Sequence, residues 1–440
     1  MTIEALGAFE STFLPAHDVD VLELSGHVQR IEADLDLLGA CGIRRLRYPV
    51  RWHRVEARRG RYDWAATDVT LGLLHERGLS PIVDLVHHTS YPRWLRRGFA
   101  DRRFGDAYLR FCVAFAERYP WVTEYTLFNE PFATLFLAGH EGIWPPHGRG
   151  LTDFVRIVGN VLPALASASR AVGELLPDAR HVYVDTCEAH GAADDAHRPH
   201  AERCNDRRFL LLDLLLGRPI DPARPFVDEV ARVDGGARLL TMDPGRVDVL
   251  GLDYYAHSEW WYSEQAPRVP SPEPVGLASL AVTYHDRYGL PMLLSETNLR
   301  GTPADRATWL KHTLDQCERA RAAGVPLEAY CWFPFIDSLD WDSLLARADG
   351  HIDPVGVVSL GPDLERVETA MTAAYAQVAA GARADDLPAY ELSAGAADWL
   401  RALLPLMSHF DWRPAPEADS HPHDRRGRGI TRRPPVEARP

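Results

Sequence analysis

Two glutamates, each near the end of an apolar run, are the residues of this chain best placed to do chemistry. Glu130 lies in the string TLFNEP (126–131) and Glu296 lies in LLSETN (293–298). Carboxylates at the C-terminal ends of two strands of a (β/α)₈ barrel face one site. One carboxyl can then protonate a leaving oxygen while the other, ionised, attacks a carbon atom or activates water. Because two environments can set two pKa values, the pair fits the hydrolysis of a glycosidic bond.

Strands must position these glutamates, and the sequence predicts eight of them. Short apolar runs rich in β-branched or aromatic residues alternate with helical stretches, two of which are predicted at 32–38 and 106–119. The alternation predicts an α/β fold, a single (β/α)₈ TIM barrel over residues 1–380. The predicted strands lie at 6–9, 43–50, 81–86, 125–128, 181–186, 247–255, 292–294 and 327–333.

The composition changes after the predicted barrel. A helical extension is predicted over residues 381–411, with its last helix at 396–404. From residue 412 onward Pro, Arg and His replace nearly all apolar residues, so residues 412–440 are predicted to be a disordered tail.

The overall composition argues against several kinds of partner. The 440 residues carry a formal net charge of −14, and binding a nucleic acid requires a basic face. Lys311 is the only lysine, so the arginine-rich stretches indicate coding bias. The six cysteines show no CxxC spacing and are expected to be buried thiols. The start MTIEALGAFE lacks the pattern of a signal peptide, and no stretch of about 20 residues looks apolar enough to cross a bilayer. We therefore expect a cytoplasmic protein without a membrane partner.

Several strings, in the order in which they occur, make this chain resemble glycoside hydrolase family 1, and more broadly the clan A retaining β-glycosidase barrels. TLFNEP and LLSETN resemble the family's acid/base and nucleophile blocks, after strands 4 and 7. The resemblance spans roughly residues 30–375. The blocks of strands 2, 3, 6 and 8 are matched by RLRYPVRWHR (45–54), DLVHHTSYP (84–92), DVLGLDYYA (248–256) and AYCWFPFIDSLDW (329–341).

The resemblance implies a role for each carboxylate. Glu130 would be the general acid/base, with a pKa raised so that it stays protonated near neutral pH. Glu296 would be the nucleophile, and Arg47 the cation that keeps it ionised. Ser295 and Thr297 depart from the family's usual Thr-Glu-Asn-Gly string at this point.

The resemblance also implies contacts with the sugar. Asn129 would bond the 2-hydroxyl, and Tyr255 would touch the nucleophile. His88 would donate to a hydroxyl and Trp332 would offer an apolar face to the ring. The neighbouring histidine leaves the assignment of His88 open by one position.

A further pair is expected at the non-reducing end of the sugar. Asp340 and Trp341 occupy the place of the family's Glu-Trp pair there. Asp340 is one methylene shorter than the glutamate of that pair, so the sugar and the aglycone are not predicted.

The sequence thus predicts a retaining β-glycosidase that acts on a small β-glycoside or oligosaccharide through a covalent glycosyl-enzyme. No metal or organic cofactor is implied. A metal-dependent barrel would need His-x-His at strand 1, where GAFESTFL has none, and no Gly-rich loop follows a strand. A transglycosidase of the same clan, or a barrel that binds a sugar or a protein partner without turnover, stays open, as does the oligomeric state.

Overall fold

The computed structural model describes residues 2–265 and 268–416 and contains a closed barrel of eight parallel strands. Each strand pairs with the next along the chain, and the eighth pairs with the first, so the predicted fold is confirmed. The bounds differ from the predicted ones by a few residues. The strands are β1 Glu4–Ala8, β2 Arg45–Pro49, β3 Ser80–Asp84, β4 Glu124–Thr126, β5 Arg180–Thr186, β6 Val249–Asp253, β7 Met292–Glu296 and β8 Leu327–Cys331.

Eight helices follow the eight strands and cover the outside of the barrel. The predicted helices at 32–38 and 106–119 are present as α1 and α3. The set is α1 Ile31–Ala40, α2 Ala65–Glu76, α3 Phe104–Arg118, α4 Gly150–Leu175, α5 Arg198–Leu215, α6 Gly276–Tyr288, α7 Pro303–Ala322 and α8 Ala370–Ala379. Shorter helices, at Val21–Leu24, Trp52–Val55, Pro131–Gly139, Pro225–Ala231, Gly236–Leu239 and Ala394–Leu400, lie in the loops and the extension.

The strands are buried on both faces, which explains why they read as nearly continuous apolar runs. Alternate residues point into the barrel, where Ile82, Val184 and Leu293 pack together. Their neighbours Val83 and Leu294 point outward and pack in the shell beneath the helices. This alternation decides which side chains at the strand ends reach the interior.

The helix α4 is long and apolar enough to span a membrane by length and composition alone, contrary to the expectation from the sequence. Phe154, Val158, Val161 and Leu165 form a buried stripe along it at helical spacing. The helix packs against α3, so this apolar face is part of the shell of the barrel. The expectation of buried thiols is confirmed, since all six cysteines are buried and free.

The extension after α8 folds back onto α7. A parallel pair, Ala389–Tyr390 with Trp412–Arg413, and the helix Ala394–Leu400 form its regular part. The predicted tail begins at the second strand of this pair, and its residues 417–440 lie outside the described residues. The Lys311 ammonium donates to the carbonyl oxygens of Ala384 and Leu387, each at 2.8 Å. The single lysine of the chain therefore attaches the extension to the barrel.

Replacing Lys311 with methionine is expected to loosen this attachment. The variant leaves two buried carbonyl oxygens without their donor and lowers the free energy of unfolding by about 2 kcal/mol. Urea denaturation measures the loss, and limited proteolysis shows whether cleavage begins in residues 384–413. Arg321→Met, on the same helix but away from the extension, serves as the control. Equal stability of the two variants would contradict this role of Lys311.

Candidate active site

The C-terminal edge of the barrel brings three carboxyl groups together. Glu130 follows β4 and Glu296 ends β7, as the sequence predicted, and Asp253 ends β6. One carboxyl oxygen from each of the three lies within 4.8 Å of the other two. All three side chains are buried, with 8%, 2% and 0% of Glu130, Glu296 and Asp253 exposed. The predicted meeting of Glu130 and Glu296 in one site is therefore observed.

The backbone of Glu130 adopts a strained conformation that directs its side chain. Its φ of +45° lies in the left-handed region, and Pro131 begins a helix immediately after it. No N–H or hydroxyl group of the described residues donates a hydrogen bond to its carboxyl. Burial, followed by the charges of Asp253 and Glu296, raises the pKa of Glu130 well above its usual value. Glu130 is thus a carboxyl group built to hold a proton.

Glu296 has the opposite environment, because both its oxygens accept strong hydrogen bonds. Arg47 Nη1 donates to Oε1 at 2.6 Å, and the Tyr255 hydroxyl donates to Oε2 at 2.7 Å. Arg47 is itself buried, and carboxylates around it raise its pKa, so its charge is permanent. The two donors hold the carboxylate in a fixed position.

Arg47 also orients Asn129. Its Nη2 donates to Asn129 Oδ1 at 2.6 Å, so the Nδ2 group of this amide must face the other way. Nδ2 is buried without a hydrogen-bond partner among the described residues. An unpaired buried donor is costly unless a ligand satisfies it. The predicted bond to a sugar hydroxyl would do so.

The two adjacent histidines occupy different parts of the site. His88 lies beside the acid, with Nε2 3.9 Å from Glu130 Oε2 and Nδ1 2.8 Å from Thr134 Oγ1. Burial places the pKa of His88 well below its usual value, so its ring is neutral. His87 bonds Asp84 at 2.8 Å, and its Nε2 lies 3.5 Å from Glu10. The His88 ring thus lies beside Glu130, and the His87 ring lies against that of His88. The sugar-binding role of His88 stays a prediction.

The assignment of Trp332 is wrong. Trp332 is fully buried, and its Nε1 donates to the carbonyl oxygen of Val355 in the outer shell. The next residue, Phe333, points into the barrel instead, 5.5 Å from the Arg47 guanidinium. Successive residues face opposite ways at the end of β8, so a shift of one position exchanges core and site. Of the two adjacent aromatic residues, Phe333 is therefore the one that lies beside the site.

Asp340 and Trp341 also differ from the expectation. The Asp340 carboxylate accepts from the backbone N–H groups of Gly350 and His351, so it closes a loop and does not reach the three carboxyl groups. Trp341 does border the site, 5.6 Å from the Tyr255 ring, and its Nε1 donates to Glu10 at 3.0 Å. Glu10, which follows β1, is the acidic partner of Trp341 here.

Three site residues were missed, and each had a signal in the sequence. Asp253 and Glu10 are carboxylates just after apolar strands, the pattern that singled out Glu130. Phe333 is an aromatic residue one position beyond the one chosen. The resemblance covered only the carboxylates Glu130, Glu296 and Asp340, so Asp253 and Glu10 were not considered.

Three carboxyl groups this close are also a possible cation site. Both oxygens of Glu296 are already engaged by Arg47 and Tyr255. The Arg47 guanidinium therefore supplies, beside Glu296, the positive charge that a metal ion would bring. The arrangement suits proton transfer and nucleophilic attack better than metal binding.

The chain is similar in sequence to known glycoside hydrolases. A family model described as glycosyl hydrolase family 1 matches residues 16–208. Beta-glucosidase A of Thermotoga maritima is 21% identical over 376 residues, which cover 76% of this chain and 81% of the relative. Beta-glucosidase A of Acetivibrio thermocellus is 23% identical over 384 residues, 77% of this chain and 84% of the relative.

Solved structures show the same fold. The family 1 β-glucosidase from Thermotoga maritima superposes with a TM-score of 0.67 at 19% identity, over 81% of this chain and 87% of that chain. The β-glucosidase from Thermotoga maritima in complex with cyclophellitol superposes with a TM-score of 0.69 at 19% identity, with the same coverage.

A barrel with this cluster of carboxyl groups and these relatives is a glycoside hydrolase. Within that class, the chain is family 1-like.

Proposed function

We propose that this protein is a retaining β-glycosidase, which hydrolyses small β-glycosides or oligosaccharides through a covalent glycosyl ester on Glu296. The close approach of Glu130 and Glu296 carries the proposal. Their nearest oxygens lie within 4.8 Å, whereas inversion needs carboxyl groups about 6.5 to 9.5 Å apart to admit a water molecule. Retention requires a separation of about 5 to 5.5 Å.

In the first step, Glu130 donates its proton to the glycosidic oxygen as the bond to the anomeric carbon breaks. A Glu296 oxygen forms the new bond to that carbon, and the aglycone leaves as an alcohol. Tyr255 and Arg47 hold the attacking carboxylate in place before the reaction. Asn129 Nδ2 donates to the sugar 2-hydroxyl, a contact that strengthens in the transition state.

In the second step, the charge on Glu296 is gone because the carboxylate has become an ester. One of the groups that raise the pKa of Glu130 is thereby removed, so Glu130 becomes more acidic. Now ionised, it takes a proton from water while the water oxygen attacks the anomeric carbon. The sugar is released, Glu296 regains its charge and Glu130 is protonated again.

The interior of the barrel suggests where the sugar ring lies. Phe333 offers an apolar face beside Arg47, and Glu10 with Trp341, whose ring lies 6.3 Å from that of Phe333, offers hydrogen-bonding groups. The curated relatives are named β-glucosidases, so β-glucosides are the first substrates to test.

The test combines turnover with product stereochemistry. The protein is assayed on a panel of aryl β-glycosides, and proton NMR identifies the anomer that forms first. A mechanism-based 2-fluoro β-glycoside is then added, and mass spectrometry locates the adduct. The proposal expects the β-anomer first and a label on the peptide that contains Glu296. Initial formation of the α-anomer would exclude retention, and a label elsewhere would exclude this nucleophile.

A pair of neighbouring variants tests which aromatic residue meets the substrate. Phe333→Leu is expected to lower kcat/KM up to about tenfold, because an aromatic contact contributes about 0.5 to 1.5 kcal/mol. Trp332→Phe is expected to leave kcat/KM within about threefold of the parent and to lower the free energy of unfolding by about 1 to 3 kcal/mol, since Val355 loses its donor. Steady-state kinetics and urea denaturation measure both. The opposite pattern would return the substrate contact to Trp332.

A further inference from the structure

The third carboxyl group of the site, Asp253, has no part in the two-carboxylate reaction. It ends β6, where its backbone is in register with Glu296 on one side and Thr186 on the other. The side chain is fully buried, within 4.8 Å of both Glu130 and Glu296. A buried carboxyl group this close to Glu130 and Glu296 affects the pKa values of the groups around it.

Asp253 and Glu130 are unequal neighbours. The Ser295 hydroxyl donates to Asp253 Oδ1 at 2.6 Å, a bond that favours charge on Asp253. Arg47 also lowers the pKa of Asp253, although burial and the charge of Glu296 raise it overall. No comparable donor among the described residues reaches the Glu130 carboxyl. If the two groups keep one proton between them, these contacts place it on Glu130.

The other groups facing the pair do not supply an alternative proton holder. The pKa of His88 is lowered and that of Tyr255 is raised, so both are neutral, and Arg47 stays charged. Asp185, with a pKa raised to about 6 by burial, is engaged by the backbone N–H groups of Phe132 and Ala133. The buried thiols nearest Asp253, Cys187 and Cys331, have raised pKa values and remain protonated.

We propose that Asp253 is a positioning residue for the proton of the general acid: Glu130 and Asp253 share one proton, which resides on Glu130 because Asp253 carries the charge. The inference rests on the proposed role of Glu130 as acid/base. Two carboxylates in contact resist simultaneous ionisation, so the pair gives up its last proton only at elevated pH. After Glu130 has protonated the aglycone, the same repulsion makes it a stronger base toward the attacking water.

The main test is the pH profile of Asp253→Asn. The alkaline limb of kcat/KM reports the pKa of the essential acid in the free enzyme. Without the Asp253 charge, this limb is expected to move to lower pH by about one unit or more. A purely structural Asp253 would lower the rate at every pH and leave the limb in place. That result would overturn the proposal.

Ser295→Ala is the matched control, because it removes the hydrogen bond to Asp253 and keeps the carboxyl group. Glu130 and Asp253 still share one proton in this variant, so the alkaline limb of its pH profile is expected to stay in place or to move to higher pH. If both variants shift the limb downward alike, the hydrogen bond and not the charge is responsible, and the proposal is wrong.

Infrared titration of the unliganded protein separates this inference from the proposed function, because it needs no turnover. The carbonyl stretch of a protonated carboxyl group is assigned to Glu130 by its loss in Glu130→Gln. In the parent protein, this band is expected to persist through neutral pH, with one protonated carboxyl group for the pair. In Asp253→Asn the band is expected to disappear at lower pH. Two protonated groups, or none, in the parent at neutral pH would overturn the inference even if no substrate is found.

Discussion

Replacing Glu296 with alanine is expected to lower kcat/KM by about 10⁴-fold or more, because the covalent step loses the carboxylate that attacks the anomeric carbon. Asp253 lies close by, but the Ser295 hydroxyl holds its Oδ1 and the whole side chain is buried. The deleted side chain leaves a space on the side of the sugar from which the carboxylate attacked. Added azide is expected to enter that space and to form the α-glycosyl azide from an activated aryl β-glycoside.

Glu296→Gln is the control for this rescue. Glutamine fills the space, so azide is expected to restore nothing, although the residual rate is as low as in the alanine variant. Circular dichroism shows whether either variant is folded, which matters because both leave Arg47 without its closest charged partner. Retention of more than about a tenth of the parental activity in the alanine variant would exclude Glu296 as the nucleophile.

The second large effect is expected at Glu130, and it depends on the leaving group. Glu130→Ala should lower kcat/KM by about 10²- to 10⁴-fold for β-glycosides of alkyl alcohols, whose oxygen must be protonated to leave. Aryl glycosides with an acidic phenol need little protonation, so their first step should be nearly intact. Their glycosyl-enzyme should then accumulate, because no base activates water.

A burst of phenol in stopped-flow absorbance measures that accumulation. Azide, which needs no base, is expected to resolve the intermediate and to give the β-glycosyl azide. Glu141→Gln is the matched control. Glu130 lies just before the helix Pro131–Gly139 and Glu141 lies just after it, and the Glu141 carboxylate bonds His140 rather than the three carboxyl groups of the site. A uniform loss on alkyl and aryl glycosides would contradict the acid/base role of Glu130.

The sequence was sufficient for the barrel and for the centre of the site. The strands were recognisable because burial on both faces makes them apolar throughout. Glu130 and Glu296 were found because polar residues at the ends of such strands face the same opening, and the resemblance to glycoside hydrolase family 1 added Arg47 and Tyr255. The structure joins these four through hydrogen bonds or close approach, as that reasoning requires.

The remaining errors have a common cause. Which of two adjacent aromatic residues at the end of β8 points inward depends on backbone geometry that the letters WF do not encode. The sequence shows the Asp340 carboxylate but not its partners, which are the backbone N–H groups of Gly350 and His351, 10 and 11 residues further along the chain. Long-range pairings of this kind arise only when the chain is folded, so single-sequence patterns do not contain them.

One guanidinium forms hydrogen bonds to residues of several strands at the C-terminal edge of the barrel. These bonds restrict which substitutions the sequence can accept there. Arg47, on β2, contacts Asn129 after β4 and Ser295 and Glu296 on β7. A substitution at Arg47, Asn129 or Glu296 leaves a buried charge or amide without its partner at another of these positions, so its effect is not additive with changes elsewhere in the group. Sequence divergence at Arg47 and its partners would therefore require simultaneous replacements. Loops such as the one closed by Asp340 can diverge one residue at a time.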